Sequence, residues 1–313
     1  MLRVIQTAVL AVSGVIPSLL LAWNAPTHMV SGAIAYRLLQ RESPATVEKL
    51  FALLERHPRY ASRWRDDIER APASHRTEML FMLAAWWDVR RRDREYDRPQ
   101  WHYIDFPFKP EGEPASIEAK PPHSVNILSA LAENERVVRS GVPAEQRSIA
   151  LAWLFHLVGD VHQPLHTAQM FTREYPDGDR GGNEICVRVA ADRTPLNLHD
   201  LWDGLITSTN NVSRLRRIAT KLRSQFSKTE LTKLANSDPG AWAKESYAAA
   251  VEVAYQNGAV RGTPQGDHPD CRELNAAAVL PAGYAVRARN VADRRIVLAS
   301  YRLAAQLGRM FGK

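Results

Sequence analysis

The stretch Ala144-Glu145-Gln146-Arg147-Ser148-Ile149-Ala150-Leu151-Ala152-Trp153-Leu154-Phe155-His156-Leu157-Val158-Gly159-Asp160-Val161-His162-Gln163-Pro164-Leu165-His166 decides how the chain is read. Residues 144–161 form a strongly helical run with Pro143 in the first-turn position. Pro164 stops the helix because it lacks an amide hydrogen and crowds the preceding turn. His156 and Asp160 are four residues apart, so both side chains leave the same helix face. His166 follows just past the break, where the chain can turn back into the same cleft. Further on, Asn197-Leu198-His199-Asp200-Leu201-Trp202-Asp203 repeats the device, with His199 and Asp203 as a second i, i+4 pair on another predicted helix. An imidazole and a carboxylate one turn apart grip a divalent ion, zinc foremost, with little loss of side-chain freedom. One such pair alone is commonly a surface or capped pair. Several together, among Trp153, Phe155 and Trp202, point to metal.

Outward from this stretch the chain reads as mainly α. The periodicity predicts helices over Ser31 to Leu54 with a break at Ser43-Pro44, Ser74 to Arg91, His123 to Ser140, Leu198 to Leu205, Ser213 to Leu234, Trp242 to Tyr255 and Ala285 to Phe311. Asp97-Arg98-Pro99 marks a loop, Lys109 to Pro122 is proline-rich and irregular, and Gly258 to Leu280 is a long loop. Asp177-Gly178-Asp179-Arg180-Gly181-Gly182-Asn183 is turn chemistry. Glu184 to Val189 alternates like a strand and is followed by the Asp192-Arg193 turn, which predicts a small β-hairpin. No repeat, low-complexity tract or interdomain linker interrupts the chain, so a single helical domain is expected.

Composition sets outer bounds. The 313 residues are 45% hydrophobic and 24% charged, the balance of an ordinary globular chain rather than a disordered or fibrous one. The net charge of +7 and pI near 9.5 favour a polyanionic partner such as nucleic acid or an anionic membrane. Residues 1–22 have a secretory signal's features: Arg3 as the basic end, a mostly apolar run from Val4, and Leu20-Leu21-Ala22 before the expected cleavage. No other segment is apolar and long enough to span a bilayer. Cys186 and Cys271 lack metal-site spacing, and either a bridge in an oxidising compartment or two buried thiols fits them.

Two more clusters carry chemistry. Trp86-Trp87-Asp88 and Trp101-His102-Tyr103-Ile104-Asp105 offer Asp88 from a helix and His102 from the following loop. Cleavage after Ala22 gives Trp23 a free α-amino group, whose lone pair and own carbonyl oxygen form a five-membered chelate, with His28 five residues on.

These segments together resemble the zinc-dependent single-strand nucleases and 3′-nucleotidases known as the S1/P1 nuclease family, from Trp23 to the helix ending near Phe311. The G-D-x-H-Q-P-L-H, Gly181-Gly182-Asn183, N-L-H-x-x-W-D and W-H-Y-I-D segments carry the resemblance. Trp242-Ala243-Lys244-Glu245-Ser246 and Tyr301-Arg302-Leu303-Ala304 are weaker signatures. The resemblance implies the helical phospholipase C/P1 nuclease fold over residues 23–313 and three Zn²⁺ ions. One would be held by Asp88, His102, His156 and Asp160, and a second by His166, His199 and Asp203. Trp23 and His28 would hold a third, with Asp160 bridging. Three zinc ions against three aspartates leave a cationic pocket suited to a phosphodiester. By the same resemblance Asp105 orients the attacking water, Arg91 steadies the phosphate, and Tyr103 and Asn183 meet the base. His162 is expected to orient a neighbour rather than bind metal. Asn24 and Thr27 stand where the family more often has glycine.

The implied activity is hydrolysis of single-stranded DNA and RNA to 5′-phosphate ends, with removal of 3′-phosphates from nucleotides, by a secreted or periplasmic enzyme. No stable membrane association after cleavage and no obligate protein partner are expected. Two alternatives stay open. A zinc phospholipase C-like phosphodiesterase shares the fold, but there the last ligand pair reads H-x-x-x-E and the first histidine lies further from the N-terminal Trp. A membrane-anchored, non-catalytic relative would keep Trp23 internal and lose the amine chelate.

Overall fold

The expected break at Ser43-Pro44 separates α1 (Ala25–Glu42) from α2 (Pro44–Leu54). In the computed structural model, residues 23–86, 95–226, 228, 231, 234–268 and 270–312 are described. The remaining helices are α3 (Arg65–Arg70), α4 (Arg76–Trp86), α5 (Ile127–Arg139), α6 (Ala144–Asp160), α7 (Leu198–Gly204), α8 (Val212–Gln225), α9 (Pro239–Ala249) and α10 (Tyr284–Phe311). The strands are β1 (Phe106–Phe108), β2 (Ala168–Met170), β3 (Ile185–Arg188), β4 (Leu196–Asn197), β5 (Thr263–Pro264) and β6 (Ala278–Val279). The expected signal segment, residues 1–22, lies outside the described residues. No helix among the described residues is long and apolar enough to cross a membrane.

Helix α6 is the axis of the molecule. From Leu151 to Asp160 every residue is buried, which is why its sequence is almost continuously apolar instead of amphipathic. Helices α2, α4, α5 and α10 pack around it, and α1 lies between α4, α8 and α10. The N-terminus of α1 and the C-terminus of α6 thereby meet at one end. Gly159 permits the meeting, since a Cβ there would stand 2.9 Å from Nδ1 of His28.

Several element ends differ from the sequence reading, each for a local reason. Helix α5 starts at Ile127 rather than His123 because Asn126 caps it, its side chain accepting from the amides of Leu128 and Ser129. Pro143 stands at the cap position just before α6, not within its first turn. Helix α9 begins earlier than Trp242 because Asp238 caps it and Pro239 follows, and its apolar run continues into a widened π turn at Ala250–Ala254. Helix α8 ends at Gln225, short of Leu234.

The small sheet contains the expected hairpin, β3 antiparallel to β4, with Cys186 opposite Asn197. The long loop after residue 258 is more ordered than its composition suggests. It adds β5 and β6 to β3, and a Cys186–Cys271 disulfide pins it. The parallel pair β1–β2, with Phe106 opposite Ala168, is too short to leave a periodic signal.

Candidate metal centre

Five elements deliver the donors: α1 brings His28, the turn Pro99–His102 brings His102, α6 brings His156 and Asp160, the turn Pro164–His166 brings His166, and α7 brings His199 and Asp203. Gln163 Oε1 accepts from the Leu165 amide at 2.6 Å and so closes the turn after α6. All these side chains are buried except that of His102, which is 18% exposed.

The first cluster centres on Asp160. His28 Nε2 lies 3.1 Å from Asp160 Oδ1. His156 Nε2 and His102 Nδ1 lie 3.0 and 2.9 Å from Oδ2. The rings of His28 and His156 stack with centroids 4.0 Å apart. Donors from His28, His156 and Asp160 all fall within 4.8 Å of one another. His166, His199 and Asp203 form a second such group. His199 Nε2 stands 3.6 Å from Asp203 Oδ2, and His166 Nε2 stands 3.9 Å from Oδ1. His166 Nδ1 is also 3.9 Å from Asp160 Oδ1, so the two groups adjoin.

The ring tautomers test whether these residues suit a cation. A backbone carbonyl only accepts, so each imidazole nitrogen bonded to one must carry the proton. His156 Nδ1 faces Ala85 O at 3.0 Å. His166 Nδ1 faces His102 O and His199 Nδ1 faces Gly181 O, both at 2.7 Å. Neutral rings then present bare lone pairs at Nε2. Those of His166 and His199 confront each other at 3.1 Å beside the Asp203 carboxylate. Only a cation sits favourably between two such lone pairs. Backbone carbonyls that fix ligand tautomers are a usual support around bound metal. Asp160 Oδ1 and Asp203 Oδ2 are buried without a hydrogen-bond partner. The donor set, nitrogen and carboxylate oxygen, suits zinc.

The electrostatics agree. Burial, with repulsion from His156, lowers His28 to about 4, and burial lowers His166 to about 3, so both are neutral, ligand-competent rings near pH 7. Burial alone would raise the Asp160 carboxyl, but His156, His166 and His28 outweigh it and hold it well below the usual range. Burial pushes Asp203 well up despite the bond from Gln163, with Asp200 and Asp160 adding to the rise. Asp203 therefore stays ionised only beside positive charge.

Two turns shape the rim. Ile104 N donates to His166 O at 2.8 Å, which ties the backbone next to Asp105 to the turn that carries His166, just before β1. Burial raises Asp105 to about 7 against the pull of Arg180, and Tyr103 is raised by burial and by Asp105. In the other turn the buried Asp179 carboxylate accepts from the amides of Met170, Gly181 and Gly182 at 2.8, 3.2 and 2.9 Å. Gly181 has φ +62°, and a Cβ there would meet Leu165 O at 2.5 Å, so the turn that holds His199 requires glycine. Asn183 is buried, its Nδ2 donating to Arg180 O at 2.7 Å and its Oδ1 without a partner.

Of the residues expected at the site, His28, His102, His156, Asp160, His166, His199 and Asp203 come together, with Tyr103, Asp105 and Asn183 at the margin. Asp88 and Arg91 lie outside the described residues. Trp23 is buried, its indole Nε1 donating at 3.1 Å to the carbonyl of Gly159, the residue before Asp160. Asn24 caps α1, its Oδ1 accepting from Thr27 N at 3.0 Å, and its Nδ2 donates to Thr207 O at 2.7 Å.

Two participants escaped the sequence reading. Gln163 donates to Asp203 Oδ1 at 2.8 Å, although it stands inside the quoted motif. Asp179 looked like an ordinary turn residue. His162, expected to orient a neighbour, faces away from the donors. Its Nδ1 donates to Val158 O at 2.7 Å and its Nε2 accepts from Arg302 at 2.9 Å. Arg302 and Arg295 both pair with Glu245, at 2.9 and 3.0 Å. The two weaker sequence signatures thus meet each other behind the metal centre.

A mainly helical chain with a buried centre of histidines and aspartates is the class that fold and site define. The sequence model described as S1/P1 Nuclease matches residues 23–312, and the chain belongs to that family. It is 28% identical to Endonuclease 4 of Arabidopsis thaliana over 206 residues, 60% of this chain and 58% of that protein. To Endonuclease 5 of Arabidopsis thaliana it is 30% identical over 198 residues, 59% of this chain and 57% of that one. Nuclease S1 of Aspergillus oryzae is 26% identical over 141 residues, 41% of this chain and 42% of that protein. The chain spans somewhat more than half the length of the Arabidopsis relatives it matches here.

Proposed function

We propose that this protein is a secreted or periplasmic zinc-dependent endonuclease. It hydrolyses single-stranded DNA and RNA to 5′-phosphate products and also removes 3′-phosphates from nucleotides. The observation that carries the reading is the confrontation of the His166 and His199 lone pairs beside Asp203, adjoining the Asp160 cluster. Membership of the family supports the substrate class.

Three zinc ions would be held by these donors: His102, His156 and Asp160 with Asp88; His166, His199 and Asp203; and His28 and Asp160 with the Trp23 amine and carbonyl. Zinc held there would supply Lewis acidity, acidifying a water and taking up charge on the phosphoryl oxygens. The chain's own residues do the rest. Asp160 serves two neighbouring ligand sets at once. Asp105, when ionised, accepts a hydrogen bond from the attacking water and fixes its direction. Arg91 steadies the phosphate with a forked pair of donors. Tyr103 offers a ring to an unstacked base and Asn183 Oδ1 an acceptor, which favours nucleotides free of a duplex.

One experiment tests this reading. The exported protein is weighed intact, its metal content measured, and its activity compared on single-stranded DNA, duplex DNA and a phosphatidylcholine dispersion. A chain beginning at Trp23, about three zinc per chain, and preferential cutting of the single strand are expected. A zinc-free active enzyme, or hydrolysis of phosphatidylcholine alone, overturns it.

A further inference from the structure

Helix α8 carries an unbalanced charge. Its 14 residues include Arg214, Arg216, Arg217, Lys221 and Arg223 and no acidic residue. The inner face is Leu215, Ala219 and Leu222. On one flank Arg216 pairs with the buried Glu78, Nε to Oε2 at 2.6 Å, a carboxylate it shares with Arg37. Arg214, Arg217 and Lys221 lie on the other side. At 3.6 residues per turn they fall within roughly 60° of one another around the helix. All three are exposed, and none forms an ion pair among the described residues.

Helix α10 runs alongside and adds more positive charge. The exposed Arg294 guanidinium sits 5.3 Å over the ring of Phe226, the residue that follows α8. Arg289 is 40% exposed and pairs with Asp293, Nε to Oδ1 at 2.7 Å. The carboxylate near Lys221 on α10 is thus already taken.

The stripe is joined to the metal centre. The segment from α7, which carries Asp203, to α8 is held by Asn24 Nδ2 on Thr207 O and by Arg289 Nη1 on Leu205 O, both at 2.7 Å. Arg214 therefore stands near the end of α8 closest to the site. Arg217 and Lys221 continue away from it, over about 10 Å of helix.

We infer that Arg214, Arg217 and Lys221 form a second, non-catalytic contact for the phosphate backbone of a single-stranded nucleic acid whose scissile phosphate lies at the metal centre. The identity of the polymer rests on the nuclease reading. A row of unpaired cations leading from the site tracks a backbone, and the row offers no aromatic ring, so it is indifferent to base. An anionic membrane is the poorer fit. A membrane-binding helix sets exposed apolar side chains beside its cations, and the exposed large hydrophobics Val125, Val189, Val279 and Val286 all lie off α8.

The test compares the zinc-loaded wild type with the triple variant Arg214→Gln/Arg217→Gln/Lys221→Gln. The binding probe is a cleavage-resistant phosphorothioate thymidine strand of roughly 30 nucleotides, titrated over a range of salt. Loss of three phosphate contacts is expected to flatten the plot of log affinity against log salt by about 2 and weaken low-salt binding by about tenfold or more. Hydrolysis of a dinucleotide, too short to reach the stripe, is expected to be unchanged. Equal affinity and equal salt slope in the two proteins overturn the inference. So does a variant that loses adsorption to phosphatidylglycerol vesicles while still holding the strand. Failure of the wild type to cut the dinucleotide is instead a failure of the nuclease reading, and the binding arm separates the two.

Discussion

His156, Asp160 and His166 on one side of α6 and its following turn, and His162 on the other, come from a single run of eleven residues. The four differ in where they find positive charge. His162 meets Arg302 at 2.9 Å, and Arg302 and Arg295 both pair with Glu245. That cluster is closed in the sense that its histidine meets a guanidinium of the chain itself, and that guanidinium meets a carboxylate. On the opposite side His156, His166 and His199 spend their protons on backbone carbonyls and turn lone pairs toward one another and toward carboxylates. The same chemical problem, a buried histidine, is solved in one place by a guanidinium and in the other by leaving room for an external cation. Burial alone does not distinguish a ligand from a structural histidine. The partner of its second nitrogen does.

The sharpest way to break this contrast is Asp160→Ala. Asp160 touches His28, His102 and His156 within 3.1 Å, and its loss removes the carboxylate on which three imidazoles converge. Two of the three zinc ions proposed above are expected to go with it, and hydrolysis of single-stranded DNA to fall by about a thousandfold or more. Metal analysis and a rate assay on the same preparation check both. Full metal content with near-native turnover would mean that the open cluster is not the site.

The second change attacks the closed cluster. Arg302→Met removes the partner of His162 and one of the two guanidiniums on Glu245. Breaking a buried pair from one side costs about 3–5 kcal/mol, read as a lower urea midpoint. Zinc content per folded molecule is expected to stay at the wild-type level when metal is in excess. Loss of zinc at equal folding would show that the guanidinium helps to hold the ligand geometry and that the two clusters are one.

Much of this was legible in the sequence because the i, i+4 pairs His156/Asp160 and His199/Asp203 need only helical spacing to be seen. Helix α6 announced itself through its unbroken apolar run and its proline stop. The closed cluster was not legible. Arg302 and His162 are 140 residues apart, and nothing local in either segment says that they meet. Gln163 and Asp179 were hidden for another reason. Both act through backbone amides or a ligand's second oxygen, and such roles leave no spacing. The Cys186–Cys271 pairing needed the fold, since composition allowed free thiols equally. The parallel pair β1–β2 gave no signal because three residues cannot show a period.

The finest discrimination between the clusters is pH. Burial, with the positive charge of Arg295 and Arg302, holds His162 well below the ordinary histidine value of 6.5. Between those two values the unfolded chain binds a proton that the native chain refuses, so this contribution is complete above about pH 6.5 and is lost as pH falls, at up to about 1.4 kcal/mol per unit. His28, at about 4, and His166, at about 3, have the same sign, as does His57, buried away from the site and lowered to about 3. Chelator-treated protein should therefore lose stability steeply below about pH 6.5. His162→Gln keeps an acceptor and a donor but removes one titrating ring. At about pH 7.5 it should cost roughly 1–2 kcal/mol through poorer hydrogen bonds. Toward about pH 5 its deficit should shrink, because the wild type alone is then giving up the contribution of a neutral His162. Urea unfolding of both proteins at the two pH values, with and without zinc, reads the difference. Because His162 binds no metal, the narrowing should be the same in both metal states, whereas the equivalent change at His166 should depend on zinc. Parallel pH curves for wild type and His162→Gln would mean that His162 is already protonated in the native protein, and that the guanidinium is not what replaces a cation on that side of α6.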